Sequence, residues 1–141
     1  MAGNIRLKIV TPEKSVVDED AQIVDSPGSL GEFGVLTGHT PFMTTLKLGT
    51  IRYTDAGGVE RCVFISGGFA EALPDRVTVL AESAERRRDI DVERAKSALE
   101  RAQKRLSLEK EASNKENIDF IRAKAALERA IHRLKLAETK R

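Results

Sequence analysis

The sequence predicts an α+β protein: a sandwich or flattened barrel of short strands over residues 1–86, then an antiparallel two-helix hairpin over residues 87–141. Three observations predict it. All 10 glycines and all 4 prolines lie at or before Pro74, so turn-forming residues are confined to the first part. Apolar and polar residues alternate in that part, the period of a half-buried strand. The last part is free of Gly and Pro and repeats itself.

A chain of 141 residues has room for one ordinary domain, or one small domain with an appendage. It carries 24 Lys+Arg against 22 Asp+Glu, a net charge of +2 that describes neither part. Residues 1–84 have 7 basic and 11 acidic side chains, net −4; residues 85–141 have 17 and 11, net +6. The last 57 residues hold too few large apolar side chains for a globular core of their own. No apolar run approaches the ~20 residues of a membrane-spanning helix, so any membrane role is expected to be peripheral. The start, Met1-Ala2-Gly3-Asn4-Ile5-Arg6, lacks the apolar stretch of a signal peptide, and none is expected.

The elements follow in chain order. Ile5, Leu7 and Ile9 alternate with Arg6 and Lys8, a first strand. Val16 with Val17, Ile23 with Val24, Met43 to Leu48 and Ile51 to Tyr53 are further β-prone runs. Asp55-Ala56-Gly57-Gly58 separates Ile51–Thr54 from Val59–Ser66, a hairpin signal. Gly67-Gly68 and Pro74-Asp75 punctuate again before Val77–Leu80. Cys62 sits in an apolar strand pattern and reads as a core thiol; one cysteine allows no internal disulfide and suits a reducing compartment.

Glycines recur at 28, 31 and 34 between Ser26 and Pro41. The spacing is wrong for a dinucleotide fingerprint, and no Gly-Lys-Ser/Thr follows for a phosphate loop. The segment reads as a tight strand–loop–strand corner; used as a contact surface, it would present Glu32 and His39. A nucleophilic triad fails on inventory, and a metal site is not expected. The chain has two histidines, no G-x-S-x-G elbow and no acid in register with His39, and no cysteine cluster for a metal.

Residues 90–106 and 118–134 are identical at 12 of 17 positions. Each copy opens on Ile-Asp, with Asp91 and Asp119 as expected N-caps. Ala, Leu, Glu, Lys and Arg then dominate, giving two helices of about 20 residues and roughly 30 Å each. The linker, Glu111 to Asn117, is short and polar, as a helical hairpin requires. Val92, Ala95, Leu99, Ala102 and Leu106 form one apolar stripe, and Phe120, Ala123, Leu127, Ala130 and Leu134 the other. Much of each stripe is alanine. A buried Leu contributes ~1.5–3 kcal/mol and an alanine methyl nearer ~0.8 kcal/mol, so adhesion between the helices is thin.

Arg94, Arg101 and Arg105 lie at i, i+7 and i+11, within about 20° of one another at 100° per residue. Arg122, Arg129 and Arg133 repeat the spacing. Packing two such helices antiparallel through equivalent faces brings both arginine stripes to one side of the hairpin. Three uses fit that face: a solvated surface with intrahelical pairs such as Glu100–Lys104, an anion site whose guanidinium forks match phosphate oxygens, or a nucleic-acid surface. The last is opposed by 11 acidic residues and a single aromatic, Phe120, for stacking.

Taken together, these residues resemble the epsilon subunit family of bacterial F-type ATP synthases. The resemblance rests on Pro27-Gly28, Gly31-Glu32-Phe33-Gly34-Val35-Leu36, Gly38-His39-Thr40-Pro41, Ser66-Gly67-Gly68-Phe69, Val77 to Ala81, and Ile90-Asp91-Val92-Glu93-Arg94-Ala95. It covers essentially the whole chain; Thr37 stands where many members have proline. It implies a sandwich of about ten strands docked on the gamma subunit and the ring of c subunits, with Gly31, Glu32 and His39 facing that ring. It implies a non-catalytic rotor subunit, peripheral on the cytoplasmic face of the bacterial membrane, coupling ion-driven rotation to ATP synthesis. The helices would restrain ATP hydrolysis by meeting beta and alpha subunits. Regulatory ATP, with or without magnesium, would engage Glu85, Ile90, Asp91, Arg94, Arg101, Arg122, Arg129 and Arg133. The resemblance requires no cofactor, no metal and no nucleic acid.

Overall fold

The computed structural model describes residues 3–111 and 118–139, which fall into two compact units meeting between Arg87 and Arg88. The first unit holds nine strands: β1 (Ile5–Val10), β2 (Ser15–Gly28), β3 (Gly31–Val35), β4 (Phe42–Leu46), β5 (Gly49–Asp55), β6 (Glu60–Ile65), β7 (Gly68–Ala72), β8 (Arg76–Ala81) and β9 (Ala84–Arg86). The second holds α1 (Val92–Glu111) and α2 (Ile118–Glu138). The expected sandwich and two-helix hairpin are both present.

β2 organises the sandwich. Val16–Val17 and Ile23–Val24, which read as separate runs, belong to one strand of 14 residues. Its first half pairs antiparallel with β1, from Ile5 opposite Ala21 to Val10 opposite Ser15. Its second half pairs with β3 on one side and β5 on the other. β1 also pairs in parallel with β8, and β8 continues through β7 to β4. The path then returns to β2 through Gly28 opposite Leu46, while β5 continues to β6 and β9. Sharing β2 between pairings folds one sheet into two layers, with few free edges.

The core lies between those layers. Ile5, Leu7, Ile9, Val24, Val35, Ile51, Val63, Ile65, Val77 and Val79 are fully buried, every second residue of their strands. The Asp55–Gly58 hairpin forms as expected. Asp55 Oδ1 accepts from the Gly57 and Val59 amides at 3.0 and 2.9 Å, and Gly58 takes φ 85°. Gly68 has no alternative residue: an added Cβ would fall 2.1 Å from the Leu80 carbonyl oxygen. Cys62 is half-buried on the strand face turned away from Val63, so it is not the core thiol its strand pattern suggested.

In the helical unit, Ala95, Ala102, Ala123 and Ala130 are buried, while Leu99, Leu106, Leu127 and Leu134 are half-buried. The alanines therefore occupy the line of closest approach and the leucines flank it. α1 and α2 pack on each other as the expected two-helix hairpin.

Candidate functional site

The glycine-rich segment becomes two neighbouring features. β2 and β3 form a hairpin with Gly28 opposite Gly31, leaving Ser29 and Leu30 at its tip. Gly31 adopts φ 137°, and Leu30 is fully exposed. Glu32, opposite Pro27, is exposed and borders a shallow cleft with Asp25, Thr50 and Arg52. Ser26, buried beside it, has a hydroxyl without a partner among the described residues.

His39 lies in the loop between β3 and β4. Gly38 turns the chain at φ 84° and donates to the Pro74 carbonyl at 2.7 Å; the His39 amide donates to Leu36 at 3.1 Å. His39 Nδ1 is 2.6 Å from the Thr40 carbonyl oxygen, an acceptor that calls for a proton on Nδ1. The imidazole lies 5.3 Å from the Phe42 ring, and Phe42 meets Phe33 edge-to-face at 4.9 Å. Phe42 thus ties His39 to β3, while Glu32 projects from the opposite face of that strand. Thr37 donates its hydroxyl to the Gly3 carbonyl.

Three outward positions were missed by sequence reading. Met43, Phe69 and Leu80 are 68%, 54% and 55% exposed on β4, β7 and β8. Phe69 stands opposite both Thr45 and Leu80, and Met43 opposite Glu71, so the three form one apolar strip on the outer face. The signal was available: with Val77, Val79 and Ala81 inside, alternation directs Leu80 outward.

On the second unit, Asp91 caps α1: its Oδ1 accepts from the Arg94 amide at 3.0 Å, and its carbonyl from Ala95 at 3.0 Å. The second copy differs. α2 begins at Ile118, so Asp119 stands inside the first turn and not ahead of it. The expected linker residues 112–117 lie outside the described residues. Arg94, Arg101, Arg105 and Arg122 are exposed; Arg129 and Arg133 are half-buried. The helices bury equivalent alanines, Ala95 and Ala102 on α1 and Ala123 and Ala130 on α2, as a two-fold arrangement would require. The exposures break that symmetry, as does buried Leu136 on α2. Among the described residues no carboxylate pairs with Arg94, Arg101, Arg105, Arg122 or Arg129; the intrahelical pair present is Lys96 with Glu93 at 3.8 Å, and Glu100–Lys104 does not form. Ile90 is buried and Glu85 half-buried, the latter on β9 in the first unit. No group of three or more metal-ligating side chains occurs among the described residues. No described helix is long and apolar enough to cross a membrane.

A strand sandwich followed by a basic two-helix hairpin is the class of protein that the fold defines. Known proteins specify it further. Residues 4–87 match the ATP synthase delta/epsilon chain beta-sandwich domain, and residues 88–138 match its long alpha-helix domain. The chain is 65% identical over 112 residues to the ATP synthase epsilon chain of Desulfatibacillum aliphaticivorans, covering 79% of each. It is 63% identical over 106 residues to that of Desulfosudis oleivorans, covering 75% of this chain and 80% of the relative. A chain in the Euglena gracilis mitochondrial ATP synthase (OSCP/F1/c-ring, rotational state 1) superposes with TM-score 0.71 at 26% identity, over 89% of this chain and 76% of that one. The chain belongs to the ATP synthase delta/epsilon family and is a non-catalytic subunit of the F-type ATP synthase.

Proposed function

We propose that the chain is a rotor subunit of the central stalk, carrying ion-driven rotation toward ATP synthesis on the cytoplasmic face of the bacterial membrane. The observation that carries this reading is the Met43–Phe69–Leu80 strip. An apolar patch on the outer face of a sheet is the kind of surface a partner covers, and the gamma subunit is the partner proposed. Gly31, Glu32 and His39, on the β2–β3 hairpin and the following loop, would meet polar loops of the c ring. Phe69→Glu should abolish co-purification with gamma while leaving the melting temperature of the free chain near that of the parent. Retained co-purification would refute the docking face.

The hairpin is the regulatory arm. Extended, its basic helices would meet acidic loops of beta and alpha subunits and hinder hydrolysis. Folded, its arginine flank would hold ATP, with or without magnesium. The guanidinium groups of Arg94, Arg101, Arg105, Arg122 and Arg129, which pair with no carboxylate among the described residues, favour an external anion over intrahelical pairing. Arg94, Arg101, Arg122, Arg129 and Arg133 would take phosphates, and Asp91 adenine-edge or structural bonds. Ligand at 100 times its dissociation constant contributes ~2.7 kcal/mol, enough to bias a thinly packed hairpin. Calorimetric titration with ATP should give saturable heat that Arg94→Ala and Arg122→Ala each weaken. No heat at millimolar ATP would leave the arginines as a docking surface for the acidic loops, the second reading.

A further inference from the structure

Arg86 closes β9, a strand of three residues. Ala84 belongs to the core, and side chains two apart share a strand face, so Arg86 is directed at the core as well. An arginine so placed needs partners. It finds them on β2: Nε donates to the Val16 carbonyl oxygen at 3.1 Å, and Nη1 lies 3.9 Å from Glu19 Oε1. The same carboxylate oxygen accepts the hydroxyl of Tyr53, whose side chain is buried in the core. Upstream, the Ser66 amide donates to Ser83 at 3.2 Å and the Glu82 amide to Gly67 at 3.1 Å. The chain is therefore tied to the sandwich from Glu82 through Arg86.

Beyond Arg86 the anchoring changes character. Residues Arg87–Asp89 form one 3-10 turn. Arg88 reaches its neighbour Asp89 at 4.0 Å, with both side chains well exposed. Asp91 then caps α1.

We propose that Arg86 is a latch that fixes the pivot of the helical arm to residues 87–90. A three-residue edge strand is marginal by pairing alone. The arginine adds a charge-assisted bond to a second strand, and through Glu19 a link to a core tyrosine. Without it the pivot migrates back through β9 toward Ser83. A longer pivot would change how readily the arm is held or released. The consequence for regulation rests on the reading of the hairpin as a movable arm; the latch itself does not.

Hydrogen–deuterium exchange of the full chain tests it. Amides of 84–86 should exchange at least roughly tenfold more slowly than those of 87–90. Arg86→Ala should remove most of that difference while global melting stays cooperative and close to the parent's. Arg86→Lys should restore protection only in part, because a single ammonium does not reproduce the two-directional guanidinium contact. If Arg86→Ala fails to fold, Glu19→Gln should shift exchange of 84–86 in the same direction by less. Equal exchange on both sides of Arg86 in the parent would overturn the proposal. So would unchanged protection of 84–86 in whichever of Arg86→Ala and Glu19→Gln folds. ATP titration of the same variants reads the regulatory role separately.

Discussion

Asp55 holds most of the β5–β6 turn by itself. Its carboxylate accepts from the Val59 and Gly57 amides and meets Arg61 Nε at 3.1 Å. The Val59 bond above all, with Arg61 and Gly57, holds its pKa below the usual carboxylate value, against some desolvation. A depressed folded pKa means stability that is present above the unfolded value near 4 and is lost as pH falls through the folded one. Asp55→Asn keeps the amide acceptor but loses the charge, so it should melt lower than the parent at pH 7 and lose less on acidification; Asp55→Ala should melt lower still. Thermal melts from pH 7 to pH 2 check both. Tyr53 acts at the other end of the scale. Burial first, and then its bond to Glu19, push its phenol well above the ordinary value near 10. The unfolded chain then releases this proton before the folded one, so stability falls as pH rises past about 10. Tyr53→Phe removes that component, and the alkaline slope of its melting temperature should be shallower than the parent's.

Alanine decides the helical element. Ala95, Ala102, Ala123 and Ala130 lie at the closest approach of α1 and α2, where a larger side chain has no room. Ala102→Leu should overpack the hairpin by ~1–3 kcal/mol and weaken inter-helix contact, with helix content preserved. A fluorescence distance between labels near Ala98 and Ala126 should lengthen while circular dichroism holds; an unchanged distance would show slack in the seam. This element was legible because its pattern is local. The repeat gave the helices, the 3.6-residue period gave their buried face, and Asp91 gave the first cap. What escaped was non-local. Nothing in Val16–Val17 and Ile23–Val24 says that one strand runs through both, because pairing with β1 and β5 stabilises the polar stretch between them. Arg86 read as one more basic residue, since its partners Val16 and Glu19 lie about seventy positions away. The halves of the arginine flank looked equivalent in sequence, yet Arg129 and Arg133 differ in exposure from Arg101 and Arg105. Local periodicity cannot distinguish identical helices in different surroundings.

At the scale of the whole molecule, the two units are built for interfaces of different physics. The sandwich is net acidic over residues 1–84 and offers an apolar strip; the hairpin region is net +6 and offers guanidinium groups. Attraction between exposed charges is screened over about 8 Å at physiological ionic strength and about 3 Å at 1 M. Burial of apolar surface is not weakened by added salt. Within one assembled complex, salt should therefore separate the functions proposed for the units. Raising KCl from roughly 50 to 500 mM should progressively relieve the inhibition of ATP hydrolysis proposed for the hairpin. Co-sedimentation of the chain with gamma should stay constant over the same range. The comparison is internal: each preparation supplies both readings, and an enzyme lacking the chain corrects for salt acting on the catalytic subunits themselves. Inhibition that persists while docking is lost would reverse the assignment, placing charge at the stalk and apolar contact at the arm. Joint loss would mean that the acidic side chains of the sandwich, Glu32 and Glu71 among them, dominate docking over Phe69 and its neighbours.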